Sequence, residues 1–142
     1  ITLANTLGDF FRSMLEGMAY TLRWNLELYT ELGLPPVELR LCGGGARSRL
    51  WRRILANVLK MELKLVKNFS ETTAIGVAIC VLVGIGAYKT IDAIVDKMVK
   101  IEEVERPEPD LCEEYEKFYK VYRECYPALR EIMHKLHDLS VK

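Results

Sequence analysis

The sequence has no net charge, little histidine and no apolar run as long as a typical membrane-spanning helix. Its 142 residues carry 20 basic and 20 acidic side chains, with only two histidines. A domain dedicated to nucleic-acid binding would be strongly basic, so this balance argues against one. Half of the residues are hydrophobic, which excludes a disordered chain. The length is typical of one compact domain that needs neither metal nor disulfide to hold its core.

The cysteines and histidines lack the spacing of a metal site or a disulfide framework. The four cysteines, Cys42, Cys80, Cys112 and Cys125, form no C-x-x-C pair, whereas zinc ligands come in closely spaced pairs. His134 and His137 lie three positions apart near the chain end, as a solvated pair would. We expect reduced thiols in a cytoplasmic protein with no signal peptide and no protein-bound metal.

Residues 72–88 are the longest run without a charged side chain. This run of 17 residues contains Gly76, Gly84 and Gly86. It falls short of the roughly 20 apolar residues of a typical membrane-spanning helix. We predict a core helix that packs closely at its glycines, and no contact with a membrane.

Hydrophobic periodicity predicts an α/β fold that is mostly helical. The predicted elements are a helix over 7–32, a strand over 37–41, a helix over 46–59, a strand over 62–66, and helices over 71–84, 90–100 and 110–139. Residues 101–109 are expected to be extended or loop. The strand–helix–strand order implies a small parallel sheet.

Local signals predict the ends and the inner faces of these helices. Thr6 and Asp9 form a capping box, Gly33 ends the first helix in a left-handed turn, and Ser70 caps a later one. Pro127 is expected to kink or break the last helix. The predicted inner face of the first helix comprises Leu7, Phe10, Phe11, Met14, Leu15, Met18, Leu22 and Tyr29. The Tyr- and Phe-rich stripe of the last helix either packs in the core or covers another part of a parent protein.

Two parallel strands alone make an incomplete sheet, since parallel strands usually lie in larger sheets covered on both faces. Partner strands are expected either in a second chain or upstream of Ile1 in a longer protein. The missing initiator Met favours the longer protein. The chain by itself would expose apolar surface, so we expect it to dimerise or aggregate.

The strongest local signal is Gly43-Gly44-Gly45, between a predicted strand and a predicted helix. Glycines permit positive φ and a close approach of ligand to backbone, and a helix start offers unpaired N–H groups. The motif is neither a P-loop nor a dinucleotide fingerprint, because Gly-Lys-Ser/Thr and G-x-G-x-x-G are both absent. A plain tight turn and a turn that binds phosphate or nucleoside both remain open.

Four segments, in order, resemble the FGGY carbohydrate kinases, which include xylulose, ribulose, gluconate and glycerol kinases. Residues 39–51 resemble the adenosine-binding segment of that family. Residues 11–23 resemble its R-A-x-L-E-G-x-A-F-x-L-R helix, and residues 71–78 its E-x-x-A-L-G-A-A helix start. Pro107-Glu108-Pro109 and the tyrosine-rich final helix resemble its C-terminal tail.

The resemblance implies a partial actin-like ATPase domain with a ribonuclease H-like fold. FGGY kinases bind Mg-ATP mainly on their C-terminal domain and the sugar mainly on their N-terminal domain. Residues 1–142 would form one C-terminal fragment, with 1–6 ending a phosphate-contacting loop, 37–88 forming the adenosine-binding unit and 110–139 forming the C-terminal helices. The catalytic Asp and the sugar pocket would precede Ile1, so we expect no catalytic or metal-binding residue here and no turnover by the fragment.

The resemblance also assigns nucleotide-binding residues. The resemblance places three residues against the α-phosphate and ribose: Gly43, Gly44 and Gly45. Beside the adenine it places Ala46, Arg47 and Ser48, with Ser48 hydrogen-bonding the base. Asn57 replaces an acidic residue common in the family. Cys42 stands where glycerol kinases carry Asp, which favours a xylulokinase-like branch.

We therefore expect the ATP-binding part of a kinase that phosphorylates a sugar hydroxyl, with a ketopentose such as xylulose as first candidate. Glycerol, ribulose and gluconate kinases are alternatives, as is a non-catalytic actin-like scaffold. The expected partners are ATP or ADP and a sugar. A basic cluster comprises Arg40, Arg47, Arg49, Arg52 and Arg53. These arginines either bind phosphates or nucleic acid, or pair with acids on a solvated face.

The role of Glu16 has two alternative interpretations. It lies inside the first predicted helix beside Gly17. It either serves the function directly or joins an internal hydrogen-bond network.

Overall fold

A computed structural model describes residues 2–140 of the chain; Ile1, Val141 and Lys142 lie outside the described residues. The expected upstream continuation beyond Ile1 and the first position of the predicted 1–6 loop therefore lie outside them too. The elements are α1 (Leu7–Glu31), β1 (Leu39–Leu41), α2 (Arg49–Leu59), β2 (Leu63–Val66), α3 (Thr72–Gly84), α4 (Asp92–Met98), β3 (Ile101–Glu105) and α5 (Pro109–Ser140). Short 3₁₀ turns, Gly44–Arg47 and Phe69–Glu71, precede α2 and α3. The fold is α/β and mostly helical, as predicted.

The sheet is mixed and has the strand order β1-β2-β3. β1 and β2 are parallel, with Leu39 opposite Leu63, which confirms the predicted pair. β3 runs antiparallel to β2, with Val104 opposite Lys64. Residues 101–105 were expected only as extended chain or loop, because three of the five are glutamates and glutamate is depleted in strands. The strand forms because its backbone pairs with β2, and that pairing cannot be predicted from the local sequence.

The core lies where α1, α2 and the first half of α5 pack together with Leu63 of β2. Its buried members are Ala19, Tyr20, Ile54, Leu55, Ala56, Val58, Leu63, Tyr115 and Tyr119. The rings of Tyr20 and Tyr119 lie 5.9 Å apart and join α1 to α5. Aromatic pairs at such distances add to the stability that their buried area already provides.

The ends of α1 were predicted correctly, but its inner face was not. Thr6 and Asp9 form the capping box, and Gly33 has a φ of 78°. Of the predicted apolar stripe, Leu15 packs against the core, whereas Phe10, Phe11, Met14 and Met18 are about half exposed. Apolar periodicity marks a face that needs a partner, and within residues 2–140 that partner is missing for much of α1.

An apolar groove of about 770 Å³ lies beside the free edge of β1. Its walls carry leucines from α1, β1, α2 and β2, together with Tyr29 and Arg40. The groove and the half-exposed stripe of α1 both leave apolar surface in contact with solvent.

α3 begins later and is less buried than expected. Asn68 is left-handed, with φ 56°, and the 3₁₀ turn that follows takes up Ser70, so Ser70 does not cap the helix. Only Ile79 of α3 is buried, and a Cβ at Gly76 or Gly84 would meet no atom within 4 Å. The predicted close packing at these glycines is wrong for the described residues, because α3 lacks partners on its other faces. No helix within residues 2–140 has the length and apolar character needed to cross a bilayer.

α5 runs without a break from Pro109 to Ser140, so Pro127 does not end it. A proline inside a helix removes one backbone hydrogen bond, and the turns on both sides keep theirs. Tyr115 and Tyr119 are buried, whereas Tyr126, Leu129 and Leu136 are about half exposed or more. The predicted aromatic stripe therefore serves the core only in its first half.

Candidate functional site

Two turns meet at one edge of the sheet. β1 and β2 are parallel, so their carboxyl ends share an edge, and each is followed by a turn that leads into a helix. The backbone N–H of Gly43 donates a 2.7 Å hydrogen bond to the carbonyl of Phe69 and ties the two turns together. In open α/β sheets, ligands bind beyond the carboxyl ends of the strands. This edge is therefore the candidate site.

The three glycines have different structural requirements. Gly43 has φ 79° and ψ −175°, a conformation essentially confined to glycine. A Cβ at Gly45 would lie 3.2 Å from Trp51 Nε1, so a side chain there would press against the indole. A Cβ at Gly44 would meet nothing within 4 Å. Gly44 is thus the glycine that the fold itself does not require.

The amides of Gly44 and Gly45 belong to exposed residues and are not used by the described fold. Both residues are exposed, and within residues 2–140 neither amide donates a hydrogen bond. The amides of Ala46 and Ser48, by contrast, bond to the carbonyls of Gly43 at 3.1 Å and Gly45 at 3.2 Å. Unpaired N–H groups at the start of a helical turn favour an anion or a ribose oxygen. The turn therefore keeps two backbone donors that the described fold does not use.

The remaining predicted site residues occupy different surroundings. Ala46 is completely buried. The hydroxyl oxygen of Ser48 accepts a 3.2 Å hydrogen bond from the backbone N–H of Trp51 and caps α2. This leaves the Ser48 O–H able to donate outward. Arg47 is exposed and forms no ion pair with another described residue.

Comparison with known proteins identifies the family. Residues 1–85 match the FGGY family of carbohydrate kinases, C-terminal domain. The chain belongs to this family. It is 30% identical over 128 residues to the xylulose kinase of Staphylococcus epidermidis, a match that covers 90% of this chain and 26% of that protein. It is 38% identical over 91 residues to the L-fuculokinase of Escherichia coli O157:H7, a match that covers 63% of this chain and 19% of that protein.

A solved FGGY kinase structure confirms the fold. The crystal structure of xylulose kinase from Rhodospirillum rubrum superposes with a TM-score of 0.79 at 27% identity, over 94% of this chain and 27% of that one. The predicted actin-like fold is therefore correct. The chain spans about a quarter of the length of the xylulose kinases that it matches.

Most arginines near the FGGY glycine turn are paired with acids. Arg40 pairs with Glu38, Arg53 with Glu108, and Arg52 with Glu103 and Glu105. The hydrogen bonds from Arg53 lower the pKa of Glu108. The paired interpretation is confirmed for these three. Arg40 and Arg53 are also exposed, as on a solvated face, whereas the side chain of Arg52 is only 12% exposed. Arg47 and Arg49 form no ion pair within residues 2–140.

Glu16 belongs to an internal hydrogen-bond network, which is one of the two roles expected for it. Its Oε1 accepts hydrogen bonds from Arg12 Nε at 2.8 Å and from the Tyr115 hydroxyl at 2.9 Å. Arg12 Nη2 also donates to that hydroxyl, at 2.9 Å. Burial raises the pKa of Tyr115, which keeps its hydroxyl protonated as a donor. The network joins α1 to α5.

Asn57 also turns inward. It is 1% exposed, and its side-chain amide bonds to the backbone of Arg53 and Glu108. Sequence reasoning considered Asn57 only as the replacement of an acidic residue common in the family and missed this role. The polar residue in the middle of the apolar face of α2 was the signal that could have found it.

Proposed function

We propose that this chain is the ATP-binding part of a carbohydrate kinase and that Gly43–Ser48 binds the nucleotide. The amides of the exposed residues Gly44 and Gly45, not used by the described fold, are the observation that carries the proposal. They lie on an FGGY C-terminal domain, beyond the carboxyl end of a parallel strand. In the whole enzyme, the γ-phosphate of ATP passes to a sugar hydroxyl.

The residues of the segment have different parts in this proposal. Gly43 lies against the α-phosphate and ribose, with its own amide bonded to the carbonyl of Phe69. The Gly44 and Gly45 amides donate to oxygens of the α-phosphate and ribose. The exposed guanidinium of Arg47 adds positive charge, and Ser48 donates its O–H to the adenine while its oxygen caps α2. Ala46, beside the adenine, supports the turn from the core side.

Magnesium enters this proposal with the nucleotide. Within residues 2–140, no group of three or more His, Cys, Asp or Glu side chains is placed to hold a metal ion. Mg²⁺ usually keeps several waters and binds substrate phosphates with one or two carboxylates. A turn that offers amides to the phosphates fits such a complex. The ion would offset phosphate charge during transfer.

A ketopentose such as xylulose is our first candidate for the sugar. Relatives include a xylulose kinase and an L-fuculokinase, and Cys42 is exposed at the position where glycerol kinases carry Asp. We expect the catalytic base and the sugar pocket on other parts of the whole protein and no turnover by this chain. The sugar is tested by assaying the whole enzyme with xylulose, ribulose, fuculose, gluconate and glycerol.

The partners we propose are ATP or ADP and a sugar, in the cytoplasm, where the thiols of the four unpaired cysteines would stay reduced. The competing proposal is a non-catalytic actin-like scaffold. The exposed apolar groove beside β1 favours it, since such grooves mark interaction surfaces.

Calorimetric titration with ADP and Mg²⁺ separates the two proposals. We expect binding by the 142-residue chain, loss of binding in Gly44→Val, and unchanged binding in Gly84→Ala. Gly84 is the matched control because a Cβ there also meets no atom within 4 Å. Absence of binding at millimolar ADP would favour the scaffold.

A further inference from the structure

Arg52 links the glycine turn to β3. Its side chain is only 12% exposed and leaves the first turn of α2. Nη1 donates a 3.1 Å hydrogen bond to the carbonyl of Ala46, in the middle of the 3₁₀ turn. Nη2 lies 3.2 Å from the carboxylate of Glu103, and Nε lies 3.5 Å from that of Glu105. One guanidinium therefore contacts the turn and two acids of the antiparallel strand.

We propose that Arg52 is a positioning residue for the Gly43–Ser48 segment, an inference that rests on the proposed nucleotide site. The bond to the Ala46 carbonyl fixes the orientation of the turn, and with it the direction of the Gly44 and Gly45 amides. Glu103 and Glu105 hold the guanidinium from the side of β3. An arginine suits this task because its planar fork donates in several fixed directions, which a lysine cannot do.

The adjacent Arg53 provides a matched control. It also lies in α2 and also pairs with an acid, Glu108, just before α5. Its side chain is 54% exposed, and within residues 2–140 it makes no side-chain hydrogen bond to the 3₁₀ turn. Arg53→Met removes the same charge and a carboxylate pair, but leaves the contact with Ala46 intact.

Amide hydrogen exchange tests the positioning role without any nucleotide. The N–H groups of Ala46 and Ser48 report on the turn, because they bond to the carbonyls of Gly43 and Gly45. Loss of a hydrogen bond from a charged donor is typically worth about a tenfold effect or more. We expect Arg52→Met to speed exchange at these two amides by about that factor, relative to Leu55 in the middle of α2. Arg53→Met should change the ratio of exchange rates, Ala46 or Ser48 over Leu55, by less than about twofold.

Two further variants test how the guanidinium works. Arg52→Lys keeps the charge and should restore part of the protection, since one ammonium can reach only some of the three partners. Glu103→Gln/Glu105→Gln should speed exchange at Ala46 and Ser48 in the same direction as Arg52→Met. Unchanged exchange in Arg52→Met, or an equal rise in Arg53→Met, would overturn the positioning role.

ADP titration then connects the turn to the ligand. Arg52→Met should weaken ADP binding about tenfold more than Arg53→Met does. Equal ADP affinity in the two variants, with faster exchange only in Arg52→Met, would also overturn the proposal. Failure of the unmodified chain to bind ADP would refute the proposed nucleotide site, and the exchange ratio would still decide whether Arg52 holds the turn.

Discussion

The side-chain oxygen of Asn57 accepts a 2.6 Å hydrogen bond from the backbone N–H of Glu108, although 51 positions separate the two residues. Asn57 Nδ2 donates in turn to the carbonyl of Arg53 at 2.9 Å. The pair joins the middle of α2 to the residue before α5, and so it fixes where α5 crosses the domain. Both polar ends of a buried amide are thereby satisfied, which a buried polar side chain requires.

Asn57→Leu should destabilise the domain, because it leaves the Glu108 N–H without its acceptor. We expect a loss of about 1–3 kcal/mol in the free energy of unfolding, as for other unsatisfied buried groups. Urea denaturation measures this loss. Asn25→Leu on the exposed surface of α1 is the control and should change stability by less than about 0.5 kcal/mol. Equal stability of the two variants would contradict the structural role of Asn57.

The same contact shows where sequence reasoning stops. Local signals were sufficient for the capping box of Thr6 and Asp9, for Gly33 and for the glycine turn, because their determinants lie within a few residues. The partner of Asn57 is far away in sequence, so no local pattern predicts the contact. β3 was predicted only as extended chain or loop for a similar reason, since it is stabilised by pairing with β2 rather than by its glutamate-rich sequence.

The inner faces of α1 and α5 show a second limit. The apolar stripes were identified correctly as stripes, yet Phe10 and Phe11 are about half exposed. Hydrophobic periodicity indicates which face of a helix is apolar, but it does not indicate whether another element packs against that face. For the candidate site, sequence reasoning located the turn. It could not show that Gly44 faces open space while Gly45 faces Trp51.

The ion pairs of Glu116 should make the stability of the domain depend on pH in the acidic range. Its Oε2 lies 2.7 Å from both Arg23 Nη2 and Lys60 Nζ. The hydrogen bonds from Lys60 and Arg23 lower the pKa of Glu116 to about 2, from an ordinary value of 4.5. Because the folded pKa lies below the unfolded one, the stabilisation is complete above about pH 4.5 and is lost as pH falls toward 2.

Glu116→Gln tests this pH dependence. The variant should be less stable than the unmodified chain at pH 6, and the difference should shrink steadily between about pH 4.5 and 2. Denaturant unfolding at a series of pH values gives the comparison. Glu113→Gln removes a carboxylate from an exposed position on the same helix and serves as the control substitution. A constant difference across the series would refute the pKa assignment.

Glycine substitutions at the turn should separate folding from binding. Gly43→Ala should lower the free energy of unfolding by about 1–3 kcal/mol, because its backbone conformation is open essentially to glycine alone. Gly44→Ala should leave stability within about 0.5 kcal/mol of the parent, since its Cβ meets open space. Thermal unfolding ranks the variants. Equal destabilisation by both would mean that the turn differs from the one described.

The isolated chain should self-associate through its exposed apolar surface. The second half of α5 presents Leu129, Ile132, Met133, Leu136 and Leu139, each about half exposed or more. Patches beyond a few hundred Å² rarely stay solvated in monomers. Light scattering coupled to size-exclusion chromatography should show a mass above that of one 16.3 kDa chain.

Charged side chains introduced on α5 should weaken this self-association if the second half of α5 forms the interface. Ile132→Lys/Leu136→Lys should shift the chain toward monomer without lowering stability, because both side chains already face solvent. Lys135→Ala, also exposed on α5, is the control and should leave the mass unchanged. A monomeric parent at high concentration would refute self-association. Persistence of the oligomer in the double variant would instead point to the groove beside β1, where Leu22 and Leu28 of α1 are 43% and 45% exposed.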